Sequence, residues 1–69
     1  MSLKDYRVSL HWSAEELARR AGVNAQTVRR IERGSPAYLH TAQAIVDALS
    51  EGLGRKVTID EVGIKIRIN

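Results

Sequence analysis

The sequence contains no cysteine and only two histidines. Without cysteine, neither a disulfide framework nor a thiolate zinc site can form. His11 and His40 lie far apart and no ligand spacing surrounds them, so we expect no metal site and no cofactor. Catalytic patterns are also missing: there is no Ser/His/Asp set, no carboxylate pair and no glycine-rich phosphate loop. The sequence therefore predicts neither an enzyme nor a protein with a small-molecule substrate.

Long apolar runs are missing as well. A helix needs about 20 apolar residues to span a bilayer, and no run approaches that length. The first five residues are too polar for a secretory signal, so we expect a soluble cytoplasmic protein with no membrane association. A chain of 69 residues is enough for one domain with a small core. Its function should therefore lie on an outer face rather than in an enclosed site.

Positive charge is concentrated in one part of the chain. Five arginines fall within residues 19–33, where the only acidic residue is Glu32: Arg19, Arg20, Arg29, Arg30 and Arg33. Within residues 40–62 the acidic residues outnumber the basic ones. One basic face and one near-neutral or acidic face is typical of proteins that bind a nucleic-acid backbone. Charge runs of this kind also occur as ordinary solvated helix faces, so charge alone leaves both interpretations open.

Residues 2–10 are compatible with two local structures. Leu3, Tyr6 and Leu10 have the spacing of a short helix, but the same stretch also alternates as a strand would. The spacing of Ser2 and Asp5 resembles a capping box, which favours the helix.

A second helix is predicted from Ser13 to the glycine at position 22. Ser13 and Glu16 have the spacing of a capping box, in which each side chain meets the backbone of the other residue. Gly22 suits the left-handed position that ends a helix. The buried stripe consists of Leu17, Ala18 and Ala21.

A third helix follows after a very short turn. Asn24 is a good N-cap, Val28 and Ile31 form the apolar stripe, and Gly34 is a natural stop. Two helices joined in this way cross steeply and leave the beginning of the second one exposed. An exposed helix fits the DNA major groove, which is about 12 Å wide.

Two further helices are predicted downstream. Ser35 and Pro36 form a typical helix start, although the start could slip to near His40 with Leu39 closing the loop onto the core. Residues 52–56 form a loop. A capping-box spacing at residues 58–61 then opens one helical turn, which ends at Gly63.

The last residues change to a period of two. Val62, Ile64, Ile66 and Ile68 alternate with other residues, which predicts a half-buried strand. A lone strand leaves its backbone groups unpaired, so it needs a partner. Pairing with a second copy would bury Ile64, Ile66 and Ile68 in a homodimer. The strand could instead fold back on its own domain or lead into a further domain.

Together these patterns resemble the Cro and phage-repressor (XRE) type of helix-turn-helix domain over residues 3–62. The matching stretches are Leu17-Ala18-x-x-Ala21-Gly22-Val23-x-x-x-Thr27-Val28-x-x-Ile31-Glu32-x-Gly34, Thr41-x-x-x-Ile45-Val46-x-Ala48-Leu49 and Val57-Thr58-Ile59-Asp60-Glu61-Val62. The resemblance implies an all-α fold: a compact bundle of four to five helices with a helix-turn-helix, plus a short C-terminal β-strand. It also implies that the first unit is a helix. We expect a helix-turn-helix DNA-binding domain over residues 1–62 and a strand, the candidate dimerisation element, over residues 63–69.

The resemblance also implies which residues contact DNA. Base contacts are expected from Asn24, Ala25, Gln26 and Arg30. Gln26 suits adenine and Arg30 suits guanine, whereas the methyl group of Ala25 can only touch a thymine methyl. Phosphate contacts, which position a protein without reading sequence, are expected from Ser13, Thr27, Arg29 and Arg33. Thr27 suits either role.

Two further expectations concern structural residues. Arg7 and Glu32 match a pair that, in the family, joins the first helix to the end of the third; a partly buried bidentate pair would fix the reading helix. From their chemistry alone, both could be ordinary surface charges. Trp12 and Tyr38 are interpreted as core or core-edge residues rather than base-stacking platforms. Ala14 departs from the glutamine that many members carry at that place.

The expected function is a sequence-specific DNA-binding transcriptional regulator, a repressor, that reads the major groove with helix three. A palindromic operator on double-stranded DNA requires two reading helices about 34 Å apart, which a homodimer supplies. The alternatives are an antitoxin-like protein or a protein-interaction module on the same fold. The arginines around the third helix favour nucleic acid. Such a protein is expected in the cytoplasm, with the nucleoid, of a bacterium or a phage-infected cell.

Overall fold

Five helices make up the part of the chain that the computed structural model describes, residues 1–68. They are α1 (Leu3–Ser9), α2 (Ala14–Ala21), α3 (Ala25–Glu32), α4 (Leu39–Leu53) and α5 (Ile59–Val62). The predicted all-α bundle is confirmed, including a helix rather than a strand at the first unit. Within residues 1–68, no helix combines the length and the apolar character needed to cross a membrane.

Three of the helices begin at the predicted hydroxyl caps. The side chains of Ser2, Ser13 and Thr58 each accept the backbone N–H three residues later. At Ser13 the predicted box is only half formed, because the Glu16 carboxylate accepts hydrogen bonds from Arg19 and Arg20 instead of from Ser13. A guanidinium is a charged donor and forms a stronger bond with a carboxylate than a neutral amide does.

The core lies where α2 packs against both α3 and α4. Leu17 from α2, Val28 from α3, and Ile45 and Leu49 from α4 are completely buried. Val62 closes this core from α5. The buried stripe of α3 therefore agrees with the sequence pattern and leaves the opposite side of that helix in solvent. In α2, Leu17 and Ala18 are buried as predicted, whereas Ala21 is half-buried.

The start of α4 agrees with the later of the two starts that the sequence allowed, the one near His40. Ser35 and Pro36 do not open the helix, which begins at Leu39. The cause is the neighbouring backbone of Ala37, whose N–H donates to the Lys65 carbonyl and whose carbonyl accepts from the Arg67 N–H. A residue paired in this way is extended and cannot be part of a helix. The exposed fraction of Leu39 is 61%, so this residue does not close the loop onto the core as expected.

The end of α4 differs from the prediction, because the helix continues through Gly52 to Leu53. At Gly52 the glycine serves close packing rather than a turn: a Cβ atom there would collide with the indole of Trp12. Trp12 is half-buried against the core, as predicted for a core-edge residue. The true helix stop is Gly54, which has a φ of 72°.

The tail forms one parallel bridge, between Ala37 and Ile66, rather than the predicted strand. Ile64 is buried in the core and Ile66 is half-buried against it, whereas Ile68 is 90% exposed. The tail thus folds back on its own domain, which was one of the alternatives. The expectation that Ile64 would pack against a second copy is wrong, because this side chain is buried in its own core. The last residue of the predicted strand, Asn69, lies outside the described residues.

Candidate nucleic-acid interface

Helices α2 and α3 are joined by the tight turn that the sequence predicts. Gly22 ends α2 with a φ of 74°, a left-handed conformation that other residues adopt at a cost. The Val23 N–H then donates to the Ala18 carbonyl, at 3.0 Å. Asn24 caps α3, because its Oδ1 atom accepts the N–H of Gln26 at 2.7 Å. A pair of helices joined in this way is a helix-turn-helix, and it presents the beginning of α3 to solvent.

The two sides of α3 differ sharply in burial. Val28 and Ile31 hold its inner side in the core. Among the residues expected to contact DNA, Asn24, Gln26, Arg30 and Arg33 are exposed, and Ala25, Thr27 and Arg29 are half-buried. With its side chains, an α-helix is about 10–12 Å across, which matches the width of a major groove. The structure thus brings most of the predicted contact residues onto or beside one exposed helix surface.

The beginning of α3 carries no negative charge. Acidic residues occupy the first turns of α1, α2 and α5, but α3 has none there. Carboxylates in a first turn neutralise the positive end of the helix dipole. At α3 that partial charge remains and favours a phosphate nearby.

The end of α3 is fixed by Arg7 and Glu32. The Arg7 guanidinium donates from Nε to Glu32 Oε2 at 2.6 Å and from Nη2 to Oε1 at 3.1 Å. Its Nη1 atom donates to the Trp12 carbonyl at 2.9 Å. Both side chains are mostly buried, with exposed fractions of 13% and 11%. The hydrogen bonds that Arg7 donates to Glu32 raise the pKa of Arg7 above its ordinary value. This pair therefore ties α3 to α1 and to the loop before α2.

The three arginines on or next to α3 are not equivalent. Arg29 forms an ion pair with Glu15 of α2. Within residues 1–68, neither Arg30 nor Arg33 makes an ion pair. Arg30 and Arg33 can therefore accept an outside anion at once, whereas Arg29 must first exchange Glu15 for it.

Shallow grooves run along both flanks of α3. The first is lined by Thr27 and Arg30 together with residues of the α3–α4 loop and the tail, among them Tyr38 and Arg67. The second groove is lined by Lys4, Arg7, Ala14, Arg29, Glu32 and Arg33. Cationic side chains on both flanks are the arrangement that two backbone strands around a major groove require.

Ser13 lies at the beginning of α2. Its hydroxyl oxygen accepts the Glu16 N–H at 3.0 Å, which leaves the hydroxyl proton available to a phosphate oxygen. Ala14, the next residue, is buried and lines the second groove. Its side chain is a methyl group, so it has no polar atom that could contact a phosphate.

The interpretation of Tyr38 as a core or core-edge residue is wrong, because this residue is 49% exposed. The ring stacks with His40, at 5.9 Å between centroids, and the Arg67 guanidinium lies 5.5 Å from the ring centroid. Sequence reasoning missed Arg67 as a neighbour of α3. The alternation of the tail predicted an outward side chain, but nothing in the pattern indicated which surface the tail would follow.

Comparison with known protein families gives one match. A helix-turn-helix family model covers residues 3–59, which is more than four fifths of the chain. Comparisons with curated proteins and with solved structures found no significant match. The matched stretch begins with α1 and includes the whole α2–turn–α3 unit. The chain belongs to the Cro and phage-repressor (XRE) type of helix-turn-helix family, which is a family of DNA-binding domains rather than of enzymes.

Proposed function

We propose that this chain is a sequence-specific transcriptional regulator that inserts α3 into the major groove of double-stranded DNA and acts as a repressor. The observation that carries the proposal is the asymmetry of α3: its inner side is held in the core, and its outer side presents Gln26 and Arg30 to solvent. A small domain that occupies a promoter excludes other proteins from that site, so repression follows from binding alone.

Base readout is assigned to the exposed beginning and middle of α3. Gln26 can form two hydrogen bonds with adenine, and Arg30 can form two with guanine. Each such contact contributes about 1–3 kcal/mol of discrimination against the wrong base. Asn24 and Ala25 lie at the same end and contribute less, because the Asn24 oxygen already caps the helix and Ala25 has only a methyl group.

Phosphate contacts are assigned to residues beside that surface: Ser13, Thr27, Arg29 and Arg33. They lie at the start of α2, on α3 and at the end of α3, so they can hold the backbone on both sides of the groove. Such contacts set orientation and salt dependence rather than sequence preference.

A homodimer on a palindromic operator is the second part of the proposal. The Ala37–Ile66 bridge uses one edge of the tail, so the other edge is open to pairing. Exposed apolar side chains lie at the tail and at the start of α4, namely Ile68 and Leu39. Leu39 also lines a groove with Ile66. A twofold contact here would use Ile66 and Ile68, while Ile64 anchors each tail to its own core.

Selection from randomised double-stranded DNA tests the reading helix. We expect the chain to enrich one motif, and Gln26→Ala and Arg30→Ala each to relax preference at a different base pair. Gln43→Ala and Lys56→Ala are controls because they remove an exposed amide and an exposed cation outside α3. If no motif is enriched, or if both reading variants keep the wild-type motif, this assignment of α3 is wrong. Binding to a protein partner instead would then favour an interaction module.

Sedimentation at tens of micromolar tests the dimer. We expect twice the chain mass and a motif with two half-sites about 10 base pairs apart. Ile68→Asp should give a monomer, whereas Val8→Asp, which changes an exposed apolar residue of α1, should not. A monomeric wild-type chain that binds a single half-site would contradict the dimer without affecting the role of α3.

We place the protein with the nucleoid of a bacterium or a phage-infected cell, where an operator is found.

A further inference from the structure

The tail places a cation next to the reading helix. Arg67 donates its backbone N–H to the Ala37 carbonyl at 2.7 Å, and the Lys65 carbonyl accepts the Ala37 N–H at 2.8 Å. These two bonds fix residues 65–67 against the loop between α3 and α4. The buried side chain of Ile64 anchors the same segment in the core. The position of Arg67 therefore follows from backbone pairing and core packing rather than from a flexible end.

The Arg67 side chain is also held in place. Its guanidinium lies 5.5 Å from the centroid of the Tyr38 ring, within the range of a cation–π contact. His40 stacks on Tyr38, with 14° between the ring planes. Arg67 makes no ion pair with any described residue, so its charge has no carboxylate partner within residues 1–68.

The groove beside Arg67 is suited to an anion. Arg67 forms one wall, and Arg30 and Thr27 of α3 form another. The remaining lining is hydroxyl-bearing or neutral and contains no carboxylate: Ser35, Pro36, Ala37, Tyr38 and Thr41. Two unpaired guanidinium groups across one groove attract a phosphate more strongly than any neutral group. Because Arg30 belongs to the surface assigned to DNA bases, the phosphate most readily available there is that of the same DNA.

We propose that Arg67 is a backbone-anchoring residue, which contacts a DNA phosphate beside the base pair read by Arg30. This inference rests on the proposed function of α3 and extends the DNA-binding surface from the helix-turn-helix to the tail. Tyr38 is a positioning residue, since its ring orients the guanidinium and itself touches no phosphate. A contact of this kind strengthens binding to every sequence equally and adds one released counterion.

Binding measured across a series of salt concentrations tests the inference. On the selected DNA site, Arg67→Gln should weaken binding about threefold to tenfold and reduce the slope of log K against log salt by about one unit. The enriched motif should not change. Lys56→Gln is the matched control, because it removes one exposed positive charge from the groove of Leu39 and Ile66, away from α3. Since that groove is proposed to form the dimer contact, sedimentation first verifies that Lys56→Gln and Arg67→Gln both keep the oligomeric state of the wild type. Lys56→Gln should leave the slope and the affinity at the selected DNA site near the wild-type values. Circular dichroism melting of each variant verifies that the fold is intact.

Phosphate ethylation interference locates the contact. We expect one phosphate per half-site whose ethylation weakens binding of the wild type but has no effect on binding of Arg67→Gln. Tyr38→Ala should reduce, but not remove, the same interference signal. If Arg67 only stabilised the tail, Arg67→Gln would have a lower melting temperature but the same interference pattern as the wild type.

The outcomes separate this inference from the function on which it rests. If wild-type protein enriches no motif, both are wrong. If Gln26→Ala and Arg30→Ala relax the motif but Arg67→Gln keeps the wild-type slope and interference pattern, the inference alone is overturned. A changed motif in Arg67→Gln would also overturn it, because Arg67 would then read a base.

Discussion

Charged side chains are used differently on the two sides of this domain. Where α1 meets α5, the Tyr6 hydroxyl and the Arg55 guanidinium both donate to Oε2 of Glu61, at 2.8 and 3.0 Å. On the outer side of α3, Arg30 and Arg33 have no carboxylate partner within residues 1–68. Charges that are paired within the chain hold helices together. Cations left without a partner mark the surface where another molecule supplies the negative charge.

The Arg7–Glu32 pair connects these two regions. Glu32 belongs to α3 and Arg7 to α1, and both side chains are mostly buried, so the role of the pair is to hold α3 in place rather than to contact DNA. The comparison predicts that changes to the less exposed charge pairs alter stability, and that changes to exposed charges on or next to α3 alter binding.

The largest effect on stability is expected for Glu32→Gln. The change leaves the mostly buried Arg7 guanidinium without its countercharge, which should lower the free energy of unfolding by about 2 kcal/mol, between the values typical of exposed and of buried pairs. Urea denaturation measures this directly. Arg33→Gln changes the next residue, which has no ion pair in the described residues, and should stay within about 0.5 kcal/mol of the wild type. Similar losses in the two variants would remove the distinction between the two kinds of charge.

An intermediate effect is expected at Asn24, which caps α3 and lies on the surface that we propose to face DNA. Asn24→Ala removes the acceptor for the Gln26 N–H and should cost about 1 kcal/mol of stability. Asn24→Asp keeps that acceptor, so thermal or urea unfolding should change little. Its added negative charge should nevertheless weaken DNA binding. Equal DNA affinity in Asn24→Asp and the wild type would place this end of α3 away from the DNA.

A smaller effect, visible mainly as a pH dependence, is expected for Glu61→Gln. The Tyr6 hydroxyl, and then Arg55, hold the pKa of Glu61 below its ordinary value. The ionised carboxylate therefore stabilises the fold above the unfolded-state pKa of about 4.3, and this contribution is lost as the pH falls through the lower pKa of the folded state.

Unfolding measured from pH 7 to pH 3 checks this sign. Glu61→Gln should be less stable than the wild type at pH 7, and the two curves should converge at the acid end. Glu51→Gln, which changes an exposed carboxylate of α4, should run parallel to the wild type. A Glu61→Gln curve parallel to the wild type would mean that the link between α1 and α5 does not depend on the carboxylate charge.

The sequence predicted the elements whose ends are set locally. Hydroxyl caps at Ser2, Ser13 and Thr58 and the glycine stop at position 22 act within one turn of their own helix, so their spacing is sufficient information. The exposed surface of α3 was predictable for the same reason, because Val28 and Ile31 determine which side is buried.

The errors arose where a distant segment decides the local structure. The Ser35–Pro36 start failed because the tail pairs with Ala37, some thirty positions before it. The loop predicted from residue 52 onwards starts too early, because Gly52 lies within α4, where Trp12 from a distant part of the chain requires a residue without a side chain. The partner of Arg29 was missed because Glu15 lies on another helix, and a charge pattern along the sequence does not show which charges meet.

That missed partner supplies the smallest expected effect on stability and a distinct effect on binding. Glu15→Gln removes the carboxylate that Arg29 must otherwise give up on DNA. Because the pair is exposed, the stability of the fold should hardly change. Binding should tighten several-fold, and the salt slope should become steeper by about one unit as Arg29 takes up a phosphate.

The control is Asp47→Asn, which makes an equal charge change on α4. It should raise affinity only slightly, since Asp47 accepts a hydrogen bond from Gln43 and does not pair with an arginine of α3. If both variants bind DNA equally well, Arg29 is not released by the change, and net charge alone accounts for the gain.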